Sequence, residues 1–290
     1  MSQVKGATIG MFDGVHLGHQ YLISQLMEHC DEPVAVTFDN HPLWVLGDLR
    51  EPQLLLTPQE KADALRSMGV TPVMLRFDDS LRSLTARQFI DRLKNDYGID
   101  RLVLGFNNRI GSDRCDASAD KSLSQATGVD IIRASELPGE LKVNSSAIRE
   151  LIKSGDVAAA SRLLGKAYTI HGNVGHGKQL GRQLGFPTAN LVPDNTDKLL
   201  PLNGVYAADA ITADGHTYRA VVNIGSRPTV DNPDAPVTIE AHLDGFNGDL
   251  YDKPLTLRFL ARLRSEQRFP DLEALRAAIN RDLQQARGIG

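Results

Sequence analysis

The chain has 290 residues, which exceeds the usual size of one domain, so two domains are the default expectation. Its formal net charge of -4 and sequence pI of about 6.1 leave no basic footprint for nucleic acid. Its two cysteines, Cys30 and Cys115, form no CxxC motif, so neither a disulfide framework nor a zinc site is indicated. The sequence lacks a signal peptide and any run of about 18 apolar residues, so we expect a cytoplasmic protein with no membrane partner.

In the first part of the chain, short apolar runs alternate with helical patterns. The predicted strands are residues 8–11, 33–38, 72–77, 101–105 and 129–133. Helix starts are predicted at Thr57 and Thr85, because each threonine has Glu or Gln three residues later, as in a capping box. Strands that alternate with helices indicate parallel strands joined by right-handed crossovers, and therefore a doubly wound α/β domain.

The most informative segment of this part is GMFDGVHLGHQYLI, residues 10–23. We expect a strand to end at Ile9, a tight turn to follow, and a helix to begin at residues 16–19. A helix N-terminus presents unpaired N–H groups at the ligand-binding edge of such a sheet, so it suits nucleotide phosphates. His16 and His19 are then candidates for stabilising a phosphoryl group during transfer. The alternative is a helix start with two solvated histidines, and the strand-turn-helix context favours the phosphate site.

From residue 168 onward, candidate strands are separated by Gly, Pro, Asn and Asp. They are residues 168–174, 205–211, 218–224, 237–243 and 255–260. Their spacing indicates an antiparallel β-barrel or sandwich. A terminal helix is predicted to pack against it through the stripe Phe269, Leu272, Leu275, Ile279 and Leu283. We therefore predict domains at residues 1–164 and 165–290.

The segment GRQLGFPTANL, residues 181–191, is the main chemical signal of the second part. Gly181 and Gly185 permit close approach of the backbone to a ligand. Thr188 and Asn190 are two positions apart on an extended segment, so their oxygens could bind one Mg²⁺ ion. An ordinary barrel loop is the alternative interpretation.

Two further features are weaker signals when taken alone. The segment GHGK, residues 175–178, is a flexible cationic turn that suits phosphate or is simply solvated. In the predicted strand 237–243, Glu240 lies on the polar face, where a glutamate is usually a solvated surface residue.

Six motifs occur in the order seen in the bacterial bifunctional riboflavin kinase/FMN adenylyltransferase family, also called FAD synthetase, which the chain resembles over nearly its whole length. They are GMFDGVHLGH (10–19), TFDNHP (37–42), VNSSAIR (143–149), GRQLGFPTANL (181–191), NIGSRPT (223–229) and IEAHL (239–243). The resemblance implies an N-terminal nucleotidylyltransferase domain and a C-terminal flavokinase barrel. It further implies that riboflavin and ATP give FMN, and that FMN and ATP then give FAD and pyrophosphate, with Mg²⁺ as cofactor.

The resemblance also implies roles for individual residues. His16 and His19 would contact ATP phosphates in adenylyl transfer, and Glu240 would take the proton from the riboflavin 5′-hydroxyl. Thr188 and Asn190 would hold Mg²⁺-ATP. The other residues expected at ATP phosphates are Gly10, Phe12, Asp13, Gly14, Gly18, Ser145, Ser146, Arg149, Gly177, Lys178, Gly181, Arg182 and Gly185. The residues expected at the flavin are Asn107, Arg109 and Arg227.

The chain departs from the family pattern at a few positions. The family has a G-x-D-F-x-F-G segment at residues 105–111. In this chain Asn107 replaces the acid, and Asn108 and Ile110 replace the two aromatics. The loss of the aromatics predicts weaker FMN binding at the adenylylation site. Met11 stands where asparagine is usual, and Asn40 where proline is usual. Two alternatives stay open: a monofunctional riboflavin kinase whose first domain no longer makes FAD, and a flavin-binding protein without turnover.

Overall fold

The computed structural model describes residues 3–45, 54–139, 142–176, 185–226 and 237–289. The chain divides into two compact units, Met1–Ser145 and Ser146–Gly290. The first contains a parallel sheet with helices, and the second a closed antiparallel barrel with a terminal helix. The predicted fold class is therefore confirmed. In the described part of the chain, every helix is too short or too polar to span a bilayer.

The first unit alternates strands and helices as predicted. In chain order its elements are β1 Lys5–Ile9, α1 Leu17–Glu28, β2 Glu32–Phe38, α2 Pro42–Val45, α3 Pro58–Ser67, β3 Thr71–Leu75, α4 Asp79–Ser83, α5 Ala86–Tyr97, β4 Arg101–Leu104, the 3₁₀ turn Ala117–Ala119, α6 Asp120–Thr127 and β5 Asp130–Arg133. The parallel strands are ordered β3-β2-β1-β4-β5. The order reverses beside β1, so the turn after β1 lies where such sheets bind ligands.

Local signals in the sequence explain the helix boundaries of this unit. Both predicted capping boxes are present: Thr57 and Glu60 exchange hydrogen bonds at the start of α3, and Thr85 and Gln88 do so at the start of α5. Strand β1 lies earlier than residues 8–11, because its pairing with β2 begins at Lys5. The turn after β1 consequently begins directly after Ile9.

Strand β2 shows that both faces of this sheet are buried. Val34 and Val36 point into one apolar cluster, which includes Phe89 of α5. Ala35, between them, points into a second cluster with Ile23 of α1. A parallel sheet covered by helices on both faces requires such continuous apolar runs, so its ligand site must lie at an edge.

The second unit is a six-stranded barrel preceded by two helices. Its elements are α7 Ser145–Ser154, which begins at the unit boundary, α8 Val157–Leu164, β6 Tyr168–Gly175, β7 Ala189–Pro193, β8 Gly204–Thr212, β9 Thr217–Gly225, β10 Thr238–Leu243, β11 Pro254–Arg264 and α9 Leu272–Arg287. The barrel closes in the order β10-β7-β6-β11-β8-β9, with antiparallel pairing throughout. Sequence patterns predict five of these strands. They do not predict β7 or the two helices that precede the barrel.

Helices α7 and α8 belong with the barrel. Helix α8 packs on β6 and β11. The backbone N–H of Leu202 donates to the carbonyl of Ile152 in α7 at 3.3 Å. The compact second unit therefore begins before residue 165. The boundary after residue 164 stays a prediction for where the two activities separate.

The prediction for the terminal helix is wrong in part. Leu272 is 67% exposed, and Phe269 precedes the first residue of α9. The buried side of α9 lies further along and includes Leu283 and Asp282. Asp282 accepts a hydrogen bond from Arg264 of β11 at 2.8 Å. An ion pair thus forms part of the buried side of α9, which an apolar periodicity alone does not reveal.

Candidate active sites

The turn between β1 and α1, residues 10–16, presents the histidine pair and is called the histidine turn below. His16 is the N-cap of α1, and its Nδ1 accepts a hydrogen bond from the backbone N–H of His19 at 3.3 Å. The two imidazole rings stack with centroids 3.6 Å apart. A Cβ at Gly18 would lie only 3.3 Å from the His16 ring, so glycine suits this close packing. Because Nδ1 is the acceptor, neutral His16 carries its proton on Nε2 and can donate it to a ligand.

Both imidazoles are neutral near pH 7. Burial lowers the pKa of His16 to about 4, although its own backbone and Asp13 act in the opposite direction. Burial also lowers the pKa of His19, and the neighbouring His16 and Lys61 lower it further. The Nδ1 of His19 is buried with no hydrogen-bond partner among the described residues. The pair therefore presents neutral imidazoles and avoids the burial of two cations, and its predicted contact with phosphate stays a prediction.

The backbone of the histidine turn adopts an uncommon conformation. Phe12 and Val15 have backbone φ angles of 49° and 43°, which residues other than glycine rarely adopt. Gly14, between them, has φ 86°. Phe12 is fully buried, and its ring centroid lies 5.1 Å from that of His19. Phe12 thus supports the pair from inside the protein, and its predicted phosphate contact stays a prediction.

Asp13 also acts on the protein itself. Its carboxylate is buried and accepts the backbone N–H groups of Leu55 and Leu56, each at 3.0 Å. Its carbonyl oxygen accepts a hydrogen bond from Ser145 Oγ at 2.9 Å. The histidine turn is therefore tied to two distant parts of the first unit. A direct contact of the Asp13 carboxylate with phosphate would bring two anions together, so its role in ATP binding stays a prediction.

A buried lysine lies beside the turn. Lys61 of α3 is 4% exposed, and its Nζ donates to the carbonyl oxygens of Met11 at 3.1 Å and Phe38 at 2.7 Å. Burial lowers the pKa of Lys61 to about 8, while Asp13 and Asp39 act to raise it. Lys61 thus remains largely protonated at pH 7, next to the histidine pair.

A cavity of about 840 Å³ opens beside the histidine pair. It lies within the first unit and is lined by α1, by the loop after β4 and by residues 134–139 and 142–145. Its size falls in the range of small-molecule sites. His16, His19 and Ser145 line it together with Asn107, whereas Arg109 is not among the lining residues. The predicted histidine site and one predicted flavin residue are thus brought to the same cavity.

The loop after β4 explains the departures from the family pattern. Asn108 Nδ2 donates to the carbonyl of Ile9 at 2.9 Å, and Arg133 donates to the Asn108 carbonyl at 2.6 Å. Ile110 is 5% exposed and belongs to the core of the sheet. The side chain at position 110 therefore lies in the core and is not among the cavity-lining residues, and weaker FMN binding stays a prediction. Asn107 and Asn108 both line the cavity, and Asn107 is the more exposed of the two.

On the barrel, strand register brings three polar side chains into one row. Glu240 of β10 lies directly opposite Asn190 of β7 and Asn223 of β9. Such cross-strand neighbours have Cβ atoms about 4.5 to 5.5 Å apart. Ile239 and Ala241, which flank Glu240, are buried, so the row occupies the other face of the sheet. These residues, Asn190, Glu240 and Asn223, are called the polar row.

A second carboxylate borders the polar row. Asn223 Nδ2 donates to Glu266 Oε1 at 3.2 Å. A Cβ at Gly225 would lie 1.9 Å from the same oxygen, so glycine leaves the space that this carboxylate occupies. Asn223 belongs to the motif NIGSRPT, which predicts no role for it, and no local pattern of the sequence indicates Glu266.

The segment before β7 is held over β10. His242 Nδ1 donates to the carbonyl of Pro187 at 2.8 Å, and the rings of Phe186 and His242 meet edge to face at 5.4 Å. Gly185 has φ 81°, a conformation that favours glycine. These contacts place Thr188 beside the polar row, one residue before β7 and two from Asn190.

A cavity of about 520 Å³ adjoins this segment. Thr188 contributes to its lining, and so do Leu243, Phe246 and Tyr251. Aromatic and aliphatic walls suit a flat heterocycle, such as the base of a nucleotide or a flavin ring. The polar row and this cavity therefore meet at Thr188.

The remaining residues predicted to bind ATP or flavin fall into three groups. Gly177, Lys178, Gly181, Arg182 and Arg227 lie outside the described residues. Ser146 and Arg149 follow Ser145 on α7, in the second unit. Gly10 donates its N–H to the carbonyl of Val36 at 3.1 Å and extends the pairing of β1 with β2. Their roles in ATP binding stay predictions.

One signal in the sequence could have revealed Lys61. The buried face of α3 consists of Lys61, Ala62 and Leu65, so the lysine falls in register with apolar residues one turn apart. A charged residue in such a stripe is either solvated through a long stem or paired inside the protein. The structure shows the second case.

A nucleotide-handling transferase is the class that these features define, since one phosphate-type site lies at the edge of a parallel sheet and another polar site lies on a barrel. The FAD synthetase family profile matches residues 2–147, and the riboflavin kinase profile matches residues 164–289. The chain belongs to the bifunctional riboflavin kinase/FMN adenylyltransferase family.

Individual relatives agree over nearly the full length. The chain is 40% identical to the bifunctional riboflavin kinase/FMN adenylyltransferase of Pseudomonas fluorescens over 292 residues, which cover 98% of this chain and 92% of the relative. It is 35% identical to the Bacillus subtilis strain 168 enzyme of the same name, with 96% and 90% covered. A crystal structure described as a macrolide-efflux protein from Streptococcus pneumoniae matches with a TM-score of 0.90 and 28% identity, covering 100% of this chain and 96% of that one.

These matches confirm the family resemblance stated from the motifs. Profiles for both enzymatic halves match, and the named relatives are bifunctional. The findings therefore favour the bifunctional enzyme over a monofunctional riboflavin kinase or a flavin-binding protein without turnover.

Proposed function

We propose that this chain phosphorylates riboflavin to FMN with ATP and adenylylates FMN to FAD with release of pyrophosphate. The observation that carries the proposal is the presence of two separate sites, one in each compact unit, each within the range matched by the corresponding family profile. The proposed substrates are small molecules, and the proposed location is the cytoplasm.

The kinase reaction is assigned to the barrel. Glu240 takes the proton of the riboflavin 5′-hydroxyl while that oxygen bonds to the γ-phosphorus of ATP. The bond from the γ-phosphorus to the bridging oxygen breaks, and ADP leaves. General-base assistance of this kind contributes about 10² to 10⁴ in rate. The half-buried position of Glu240 within the polar row supports this role, because its strand fixes its direction while the carboxylate stays accessible.

The donor set beside Glu240 fits Mg²⁺. Thr188 and Asn190 offer neutral oxygens, which hard cations accept, and Asn190 lies opposite a carboxylate in the register of the sheet. In the described part of the chain, no cluster of three or more His, Cys, Asp or Glu side chains forms a cage for a metal. A site with few protein ligands is typical of Mg²⁺ held largely by substrate phosphates. When bound, Mg²⁺ neutralises charge on the phosphates of ATP.

The adenylyl transfer is assigned to the histidine turn. A phosphate oxygen of FMN bonds to the α-phosphorus of ATP, and the bond to the β-phosphate breaks to release pyrophosphate. His16 donates its Nε2 proton to a phosphate oxygen, and the N-terminus of α1 adds backbone N–H groups and its positive dipole end. Neutral donors fixed before the substrate arrives stabilise developing charge without reorganisation.

Product analysis tests the proposal directly. The purified chain is incubated with ATP and Mg²⁺ and either riboflavin or FMN, and the flavins are separated by chromatography. We expect FMN and then FAD from riboflavin, and FAD directly from FMN. FMN without FAD would overturn the adenylyltransferase half, FAD from FMN without FMN from riboflavin would overturn the kinase half, and unchanged flavin would overturn both.

A further inference from the structure

We propose that Lys61 is a positioning residue for adenylyl transfer, which fixes the histidine turn by joining the carbonyl oxygens that follow β1 and end β2. The inference rests on the adenylyltransferase function proposed for this site. Lys61 acts through the histidine pair and is assigned no contact with substrate.

The position of Lys61 follows from the way two parallel strands separate. The ladder between β1 and β2 ends at Ile9, and Gly10 makes one more hydrogen bond to β2. Beyond that point the carbonyls of Met11 and Phe38 need other donors. Lys61 Nζ donates to both, at 3.1 Å and 2.7 Å. The ammonium group therefore holds the two strand ends together at the ligand-binding edge of the sheet.

Met11 is the residue immediately before the strained part of the turn. Its carbonyl oxygen accepts a second hydrogen bond, from Thr37 Oγ1 at 3.0 Å. Phe12 follows with a positive φ, and such a conformation persists only when its surroundings fix it. Two donors on one carbonyl are a restraint of that kind. Loss of Lys61 would remove one of the two donors to the Met11 carbonyl and the Lys61 donor to the Phe38 carbonyl. The turn that leads to His16 would then be less firmly held.

The charge of Lys61 acts on the same pair. Asp13 and Asp39 act on Lys61, and Lys61 acts on His19, which stacks on His16. The two aspartates favour the ammonium form, and the ammonium in turn disfavours protonation of His19. An uncharged side chain of similar length would fill the space but would supply neither the hydrogen bonds nor this electrostatic effect.

The test uses three variants of the full chain. Lys61→Met keeps the length and removes the charge, and Lys61→Arg keeps both charge and donors. Lys94→Met is the matched control, because Lys94 Nζ also donates to one backbone carbonyl, that of Thr127 at 2.7 Å, on the α5–α6 side of the same unit. Each variant is assayed for FAD formation from FMN and for FMN formation from riboflavin.

We expect Lys61→Met to lower kcat for FAD formation by about 10- to 100-fold, the usual effect of misplacing a catalytic group by about 1 Å. Lys61→Arg should recover most of this loss, and Lys94→Met should behave as the wild type. FMN formation should be unchanged in all three, because that activity belongs to the other unit. Equal kcat values for FAD formation in the wild type and in Lys61→Met would overturn the inference.

A second measurement separates positioning from simple loss of packing. NMR titration of the imidazoles should show a higher pKa for His19 in Lys61→Met than in the wild type, and the acidic limb of the kcat profile should move to higher pH. Reduced activity with unchanged histidine titration and no rescue by arginine would also overturn the inference. If wild-type chain makes no FAD, the proposed function fails, and the titration alone decides whether Lys61 governs the pair. Should Lys61→Met not fold, Lys61→Gln replaces it in both measurements.

Discussion

The histidine turn is built from buried groups, whereas the polar row on the barrel is half-exposed. His16, Asp13 and Lys61 are each under 10% exposed, and hydrogen bonds to the backbone hold all three. Glu240 and Asn190 instead owe their positions to strand register. A site made of buried polar groups is coupled to folding, because each unpaired group costs free energy. A site on the outer face of a sheet can change with little effect on stability.

The two activities should therefore respond differently to mutation. In the first unit, changes at the site alter the turn, the charge balance and the stability together. In the second unit, one side chain can be replaced while its neighbours in the ladder stay in place.

The largest effect is expected for His16→Ala combined with His19→Ala. The double variant should lose FAD formation by about 10³-fold or more, since removing even one preorganised donor costs about 10² to 10³ in kcat. FMN formation from riboflavin should persist in the same protein. Both activities are measured on one preparation, with circular dichroism to confirm that the chain is folded.

Loss of both activities in a folded double variant would contradict the assignment of the activities to separate units. A matched control is His171→Ala, which removes a histidine of β6 that pairs with Thr256 and belongs to neither site. It should retain FAD formation.

The next effect is expected for Glu240→Gln. Glutamine keeps the shape and removes the base, so FMN formation should fall by about 10²-fold or more. FAD formation from FMN and the unfolding midpoint of the barrel should stay close to wild type, because the row lies on the outer face of the sheet. Rates with riboflavin and with FMN are compared by chromatography.

Glu266→Gln is the control for general effects of charge near the row. This substitution removes the carboxylate beside Asn223. The glutamine side chain keeps an oxygen that can accept the hydrogen bond from the Asn223 amide. A kinase rate in Glu240→Gln no lower than in Glu266→Gln would show that Glu240 is an ordinary surface residue.

Patterns local to the chain predicted most of the fold. Capping boxes at Thr57 and Thr85 and the alternation of β10 are properties of a few consecutive residues, and the structure agrees with them. The missed features depend on distant partners. Lys61 is meaningful only beside the carbonyls of Met11 and Phe38, which are separated from it by 50 and 23 positions.

The candidate sites follow the same rule. The order of the motifs predicts that Glu240 and Asn190 are functional residues. Only the strand register shows that they lie opposite each other. Glu266 lies 43 positions from Asn223, and no periodicity links them. The replacement of aromatics by Asn108 and Ile110 predicts weaker flavin binding, but a sequence does not show which side chains of a loop point inward, as Ile110 does.

The third prediction concerns the buried charge balance of the first unit. The pKa of His16 is about 4 in the folded protein, against 6.5 for an ordinary histidine. The unfolded chain therefore binds more protons between these pH values, and the free energy of unfolding falls as pH drops from 6.5 towards 4. His16 alone should account for about 3 kcal/mol of this loss. Urea unfolding of the wild type and of His16→Asn, which retains a good N-cap without titrating, measures it.

The unfolding free energy of the wild type minus that of His16→Asn should fall by about 3 kcal/mol between pH 7 and pH 4 and be constant above about pH 7. A difference independent of pH would mean that His16 is solvated when folded. The barrel offers an internal reference, because changes at the polar row should not produce this pH dependence.

The smallest effect separates two neighbouring asparagines. Asn108→Phe removes the hydrogen bond to the Ile9 carbonyl, so it should destabilise the first unit by about 1 to 3 kcal/mol and leave the KM for FMN unimproved. Asn107→Phe places a ring at the same cavity without removing that hydrogen bond, and a stacked aromatic contributes about 0.5 to 1.5 kcal/mol. It should lower the KM for FMN by about two- to tenfold at constant kcat, as restored ground-state binding does. Steady-state kinetics and urea unfolding of both variants distinguish them. If Asn108→Phe lowers the KM and keeps its stability, position 108 faces the flavin and the hydrogen bond to Ile9 is dispensable.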